Sequence, residues 1–315
     1  MKDHWNVNDI PDQSDRVAIV TGANTGIGYE TARALAKKGA HVVLACRNKQ
    51  KGEDAVRRIK AEDATASAEL MQLDLSSLDA VRQFAEAYLA KHDRLDLLIN
   101  NAGVMVPPFS TTEDGFELQF GVNVLGHFAL TGLLLDRLTA TSGSRVVTVS
   151  SLAHRQGEID FGRILGEDFR DGGASNGADY KPWRAYGQSK LGDLVFAIEL
   201  QRRLAAAGHE TISLAAHPGF TKTDLQRNSG ISAFIGRFVG MEADRGALPT
   251  LYAATAPEAE PGGYYGPDGF YEMRGDPAPA KVMPKAKDEA TARRLWETAE
   301  DLTDVRYLSD VHADA

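Results

Sequence analysis

Residues 16–39 read RVAIVTGANTGIGYETARALAKKG. The first six residues, RVAIVT (16–21), are rich in β-branched side chains and show no polar alternation, the pattern of a strand buried on both faces. GIGYETARALAKKG then takes up a helical period, so Gly22, Gly26 and Gly28 sit in a strand-to-helix turn. The same unit recurs along the chain: HVVLAC (41–46) precedes KGEDAVRRIKAED, and AELMQLDL (68–75) precedes SSLDAVRQFAEAYLAKH. LDLLIN (95–100) follows, then VNVLGHFALTGLLLDRL as one long buried helix, SRVVTVS (144–150), a helix over 186–207 and TISLAAHP (211–218). Strand, helix and strand in alternation specify an α/β fold, a doubly wound parallel sheet with helices on both faces.

No shift in composition and no Pro/Gly/Ser linker divides the halves, so a single domain over 14–305 is expected. An N-terminal extension (1–13) precedes it and a short tail (306–315) follows. Two stretches break the rhythm. Residues 155–182, with RDGGASNGAD inside them, read as an insert, and residues 220–245 as a substrate loop, because long irregular segments within a compact domain are usually lids or binding loops. ATARRLWETAEDL is expected to be a final helix.

With 315 residues and 43% hydrophobic content the chain can bury a substantial core. A net charge of −9 and a pI near 5.4 argue against nucleic acid or an anionic membrane as the main partner, leaving small molecules. The single cysteine, Cys46, rules out an internal disulfide and reads as inert and buried; no Cys/His cluster has zinc spacing, so no metal is expected. No run approaches the roughly 20 apolar residues of a membrane span, and the N-terminus lacks a signal-type apolar core. A reducing, cytoplasmic location is the expectation.

The glycines of VTGANTGIG let the backbone turn tightly at a helix N-terminus, where free N–H groups and the helix dipole accept a pyrophosphate. Their spacing is G-x-x-x-G-x-G, not the usual G-x-G-x-x-G, but the turn follows the first strand of a parallel sheet, where such folds bind ligands. The second strand ends LACRNK, offering Arg47 where an NAD site would offer a carboxylate. A guanidinium there suits the 2′-phosphate of NADP, so NADP(H) is preferred and NAD(H) remains possible. Asp74 is placed to bond the adenine amino group or to cap the helix that follows.

AYGQSKLGDL places Tyr186 one helical turn from Lys190, on one face. Only Tyr186 among the nine tyrosines has Lys four residues on, and no carboxylate is expected beside the pair. A cation beside a phenol is a device for making tyrosine a general acid or base. Trp183, Phe220, Phe234 and Phe238 could wall an apolar pocket, whereas His154 and His217 read as structural.

Taken in order, TGANTGIG, NNAG (100–103), Asn123, the serine pair 150–151, YGQSK and HPG resemble the short-chain dehydrogenase/reductase family over roughly residues 14–255. The ending ACRN, the run GVNVLGHF and ARRLWETAEDLT are similar to the branch holding retinol dehydrogenases, the WW-domain oxidoreductase and protochlorophyllide reductases. The resemblance implies a Rossmann-type fold, a nicotinamide cofactor and NADP-dependent hydride transfer between a carbonyl and an alcohol, here an apolar or aromatic one. It implies catalytic roles for Asn123, Ser151, Tyr186 and Lys190, with Asn123 holding a water that connects Lys190 to solvent. Cofactor contacts would come from Gly22, Asn24, Thr25, Gly26, Ile27, Gly28, Arg47, Asp74, Leu75, Asn101, Ala102, Gly103, Tyr186, Lys190, Pro218, Gly219 and Thr223. A homo-oligomer, dimer or tetramer, is common in the family. Two other readings use the same residues: a dinucleotide-binding redox sensor or scaffold without turnover, and a sugar-nucleotide epimerase or dehydratase, although the first turn lacks the G-x-x-G-x-x-G of the latter.

Overall fold

The computed structural model describes residues 4–164, 180–221 and 241–309. One eight-stranded sheet runs through it in the order β3-β2-β1-β4-β5-β6-β7-β8. The strands are β1 (Val17–Thr21), β2 (His41–Cys46), β3 (Ser67–Gln72), β4 (Leu97–Asn100), β5 (Arg145–Val149), β6 (Ile212–Ala216), β7 (Tyr264–Pro267) and β8 (Pro277–Pro279). All neighbours pair in parallel except β8, which is antiparallel to β7. The chain leaves β1 toward β2 and β3 on one side, then returns to add β4 on the other. That reversal opens a crevice above the carboxyl ends of β1 and β4, the ligand position of open α/β sheets.

Helices α1 (Gly26–Lys37), α2 (Lys49–Glu62) and α3 (Leu78–Lys91) follow β1, β2 and β3. The central strands are buried on both faces, which is why their sequences are continuous apolar runs. Two apolar layers result. One packs Phe128, Phe196 and Trp296 against one side of the sheet, and the other packs Tyr29, Leu35, Leu251 and Tyr252 against the opposite side. Trp5 and Ile10, in the N-terminal extension, belong to this second layer, with Trp5 set edge-on to Tyr252 at 5.3 Å.

The long buried helix expected after residue 122 is interrupted. A helical turn α4 (Leu118–Phe120) runs into a π segment (Gly121–Leu125), then α5 (Gly126–Leu133), and a break precedes α6 (Leu135–Thr139). π segments insert one extra residue per turn and recur at functional sites. Here the segment carries Asn123. Gly126 allows the next turn to press on the chain after β3, since a β-carbon there would stand 2.8 Å from the Leu75 carbonyl oxygen.

After β5 come a 3-10 turn (Leu152–Gln156) and a short helix α7 (Phe161–Ile164), which begin the insert; residues 165–179 lie outside the described ones. α8 (Pro182–Ala206) starts with proline in its first turn, where its missing N–H costs nothing. Two elements depart from expectation. The stretch read as a loop to residue 245 gives way at 243 to helix α9 (Ala243–Thr255), despite Gly246 and Pro249 inside it. It is held by packing on α1, β5, β6 and β7. β7 and β8, not expected, extend the sheet past β6. The final helix α10 (Glu289–Thr303) is present, with Trp296 buried against Phe128 and under the Arg203 guanidinium.

Candidate active site

The strand-to-helix turn after β1 is built by close backbone approach. Gly22 and Gly26 take positive φ, +67° and +58°. A β-carbon on Gly22 would lie 2.9 Å from Ala102 Cα, and one on Gly28 would run into the Asn101 amide and stand 2.6 Å from the Gly22 carbonyl oxygen. The first turn of α1 carries no acidic residue. This cradle fits an anionic group close to the backbone: its three glycines present no β-carbon, and the dipole of α1 points its positive end there.

Thr21, the last residue of β1, ties the turn to the NNAG loop. Its hydroxyl accepts from the backbone N–H groups of Asn101 (2.9 Å) and Ala102 (2.8 Å), and Asn101 Nδ2 donates to the Thr21 carbonyl at 2.7 Å. His127 completes the link. Its Nδ1 lies 2.8 Å from the Asn123 carbonyl oxygen and so must donate, leaving Nε2 to accept from Thr21 Oγ1 at 2.9 Å. Burial depresses the imidazole to about 4, so the ring is neutral and this tautomer holds. Neither Thr21 nor His127 stood out in the sequence. The signal available was a histidine four residues after Asn123 in an otherwise apolar run.

Asn123 is buried, and its side chain clamps the loop after β4. Oδ1 accepts from Val104 N (2.8 Å), while Nδ2 donates to Val104 O (3.1 Å) and to Ser189 Oγ (2.9 Å). Ser189 in turn donates to the Tyr186 carbonyl. The π segment is thereby joined to α8 one turn from the tyrosine.

Tyr186 and Lys190 share the buried face of α8. Lys190 Nζ donates to the Val149 carbonyl oxygen at the end of β5 (2.9 Å) and to Asp193 Oδ2 (2.7 Å). It also stands beside Gly103, where a β-carbon would come within 3.6 Å of Nζ and 3.1 Å of Asn123 Oδ1. The carboxylate at Asp193 corrects the sequence reading, in which the pair had none beside it. Three positions along the helix is the same face. Both side chains are almost wholly buried, 6% and 2% exposed. Burial lowers the lysine's proton affinity, but Asp193 and, to a lesser degree, Tyr186 together more than compensate and hold it above the ordinary ammonium value. Burial pushes the Asp193 carboxyl up to about 6 against the pull of Lys190, so the pair is charged at neutral pH.

The two serines part as strand alternation requires. Ser150 is buried and donates to the Lys190 carbonyl at 2.7 Å, while half-buried Ser151 opens the 3-10 turn and accepts from Ala153 N at 3.2 Å. That turn leans on α8 beside Tyr186: Gly157 sits so close to the Gly187 carbonyl that no β-carbon fits. Trp183 is 53% exposed and sets its edge toward Tyr186, ring centres 6.2 Å apart.

The remaining predicted positions divide. Pro218 and Gly219 (φ +66°) lie in the turn after β6, anchored by His217, which donates from Nε2 to Glu272 Oε2 (3.1 Å) and accepts from Gly219 N (3.2 Å). Asp74 Oδ1 accepts from the backbone N–H (2.9 Å) and hydroxyl (2.6 Å) of Ser76, whereas Ser77 is the residue that caps α3. Arg47 is exposed at the end of β2. Asn24, Thr25 and Ile27 line the glycine turn, and Leu75 is buried beneath α5. Thr223, Phe234 and Phe238 lie outside the described residues. His154 is buried with Nδ1 2.7 Å from the Ser151 carbonyl, and burial raises the Cys46 thiol to about 12, in keeping with structural roles for both.

A sequence model described as short chain dehydrogenase matches residues 16–162. Retinol dehydrogenase 13 of Homo sapiens is 44% identical over 291 residues, covering 89% of this chain and 82% of that protein. The chain belongs to the short-chain dehydrogenase family. Within it, the relatives belong to the retinol dehydrogenase branch: Polyprenol dehydrogenase of Mus musculus is also 44% identical, over 91% of this chain and 83% of its own length. Among solved structures, an uncharacterized protein from Mycobacterium paratuberculosis superposes with a TM-score of 0.79 at 41% identity, covering 96% of this chain and 98% of that one. A short chain dehydrogenase from Shigella flexneri complexed with NADP shares the fold at 24% identity (TM-score 0.61; 80% and 97% covered). As a member of this family the chain is an NAD(P)-dependent oxidoreductase.

Proposed function

We propose that the protein is an NADP(H)-dependent oxidoreductase interconverting an apolar alcohol and its carbonyl compound, with Tyr186 as the proton donor and acceptor. The observation that carries this reading is the convergence of Gly103, Asn123 and Lys190 beside the end of β5, with Tyr186 one turn from the lysine on the same buried face. The nicotinamide group, when bound, supplies the hydride chemistry, and the protein supplies orientation and electrostatics.

The glycine turn would receive the pyrophosphate. Arg47, exposed and without a neighbouring acid in ACRN, would pair with a 2′-phosphate. Asn101, Ala102 and Gly103 would line the adenosine side, Asp74 Oδ2 and Leu75 the adenine, and Pro218, Gly219 and Thr223 the nicotinamide end. Lys190 has three N–H donors, of which Val149 and Asp193 take two, leaving one to orient a ribose hydroxyl. Tyr186 Oη would hold a proton against the substrate oxygen and deliver it as charge develops there, while Ser151 Oγ donates to the same oxygen. Asn123 serves by holding the loop after β4 and the π segment in place. The relatives are named for retinol and polyprenol, both apolar isoprenoid alcohols, and the exposed indole of Trp183 beside Tyr186 suits such a substrate.

The test is a panel of aldehydes, ketones, quinones and alcohols, following nicotinamide absorbance with each cofactor. Turnover should favour apolar substrates and NADPH. Tyr186→Phe should abolish it while leaving NADPH affinity within a few-fold. Activity retained in that variant would remove Tyr186 from the mechanism, and NADPH binding without oxidation across the panel would favour a sensor or scaffold.

A further inference from the structure

Far from this site, three side chains converge on one point. His41 is the first residue of β2, Glu69 lies in the edge strand β3, and His92 is the residue that ends α3. Parallel pairing sets His41 against Ser67, which brings Glu69 within reach. Nε2 of His41 and Nε2 of His92 both approach the same carboxylate oxygen, Glu69 Oε1, at 3.1 Å and 2.8 Å. One donor atom from each of the three lies within 4.8 Å of the others, and all three side chains are half-buried.

Metal–nitrogen and metal–oxygen bonds of about 2.0–2.2 Å place the ligand atoms of a tetrahedral ion a little over 3 Å apart. The two nitrogen–oxygen spacings need only slight widening to admit one. The surroundings also fix the imidazoles for that role. Ser67 Oγ lies 2.7 Å from His41 Nδ1 and turns Nε2 inward, and the Tyr88 ring stacks on His92 at 4.7 Å. Such outer partners orient metal-binding histidines. Lys91 pairs with Glu69 through the other oxygen, Oε2, and so leaves Oε1 to the two rings.

We propose that His41, Glu69 and His92 form a binding site for a divalent ion of the zinc class, completed by water. Two imidazoles and one carboxylate favour Zn²⁺, Co²⁺, Ni²⁺ or Cu²⁺ over Mg²⁺ or Ca²⁺, which take oxygen ligands. The ion would join β2, β3 and α3, pinning the edge strand of the sheet. It has no part in the proposed reaction, since it lies at the amino end of the strands and the cofactor cradle lies at the carboxyl end.

The experiment uses the full chain without an affinity tag, treated with chelator and titrated with Co²⁺ or Zn²⁺. Expected are saturable one-to-one binding by calorimetry, visible d–d bands of low-symmetry Co²⁺, and a metal-dependent rise in the unfolding midpoint. Ser67→Ala should weaken binding about tenfold. His92→Gln and Glu69→Gln should abolish the Co²⁺ bands while retaining the native circular dichroism in chelator. Failure of the parent chain to bind, or binding unchanged in both variants, would overturn the proposal. Because every readout is independent of turnover, the result stands apart from that of the carbonyl screen.

Discussion

Removing the carboxylate of Asp193 isolates a charge the protein cannot easily leave alone. The carboxylate and the Lys190 ammonium are 2.7 Å apart and almost wholly excluded from water. At an effective dielectric near 20 their attraction is about 6 kcal/mol, set against a desolvation penalty of several kcal/mol for each ion. The net worth of the pair is therefore small, but breaking it is not: Asp193→Ala strands a buried ammonium with only the Val149 carbonyl, at an expected cost of about 3–5 kcal/mol. Asp193→Asn keeps an oxygen for Nζ to donate to and should retain part of that, for a loss of about 1–3 kcal/mol. Replacing both residues, Lys190→Met with Asp193→Leu, should be far less costly than Asp193→Ala despite two changes, because no charge remains to be buried. Urea unfolding at pH 7, followed by circular dichroism and intrinsic fluorescence with m-values compared, measures all three. If Asp193→Ala cost under about 1 kcal/mol, or the double variant lost as much as Asp193→Ala, the pair would not be a coupled buried ion pair.

Three further outcomes are expected. Arg47→Asp should move the NADPH/NADH preference in kcat/KM toward NADH by roughly 10-fold, the lower end of a charged hydrogen bond's worth because the side chain is exposed; an unmoved ratio would make Arg47 a bystander. Gly28→Ala should cost about 1–3 kcal/mol by overpacking and weaken NADPH binding, since the new methyl meets the Gly22 carbonyl and an Asn101 amide already committed to Thr21; melting and cofactor titration measure both. His127 sits neutral with its proton affinity at about 4 against an ordinary 6.5, so between those pH values the unfolded chain binds the extra proton, and stability is full above 6.5 and lost as pH falls toward 4. The gap corresponds to about 3 kcal/mol, and His127→Asn should flatten the stability–pH curve in that window relative to the parent by about this amount.

The legible part of the fold is the part whose residues obey one rule. Strands β1, β2, β4, β5 and β6 are apolar because both faces are covered, the edge strand β3 is only partly so, and the helices repeat at 3.6 residues because one face is. β7 and β8 obey neither rule. Tyr264–Pro267 and Pro277–Pro279 hold glycine and proline rather than β-branched residues, and they are strands because Ala215 and Ala216 offer an open edge to pair with. α9 is a helix against its own propensities. Gly246, which weakens a free helix, is where it presses on Thr221, and Pro249 is buried within the helix, which packs on α1.

At the site, motif spacing located Tyr186, Lys190 and the glycine turn, since each lies within a run whose period fixes where it points, while Asn123 came from the family resemblance alone. What spacing could not show was how the runs meet. Thr21 and His127 are 106 residues apart, and their bond depends on β1 lying next to β4 and on the register of the π segment, which no local pattern encodes. Asp193 was in plain view three residues beyond Lys190, but a tyrosine–lysine pair reads as complete when only their mutual spacing is considered. Its burial is what changes the electrostatics. A surface aspartate would be screened and of little consequence, whereas one packed between α8 and the end of β5 opposes the lysine's field at the place where that field acts on Tyr186. In the proposed mechanism the cation one turn from the phenol is thus a partly neutralised one, its charge opposed by Asp193 2.7 Å away.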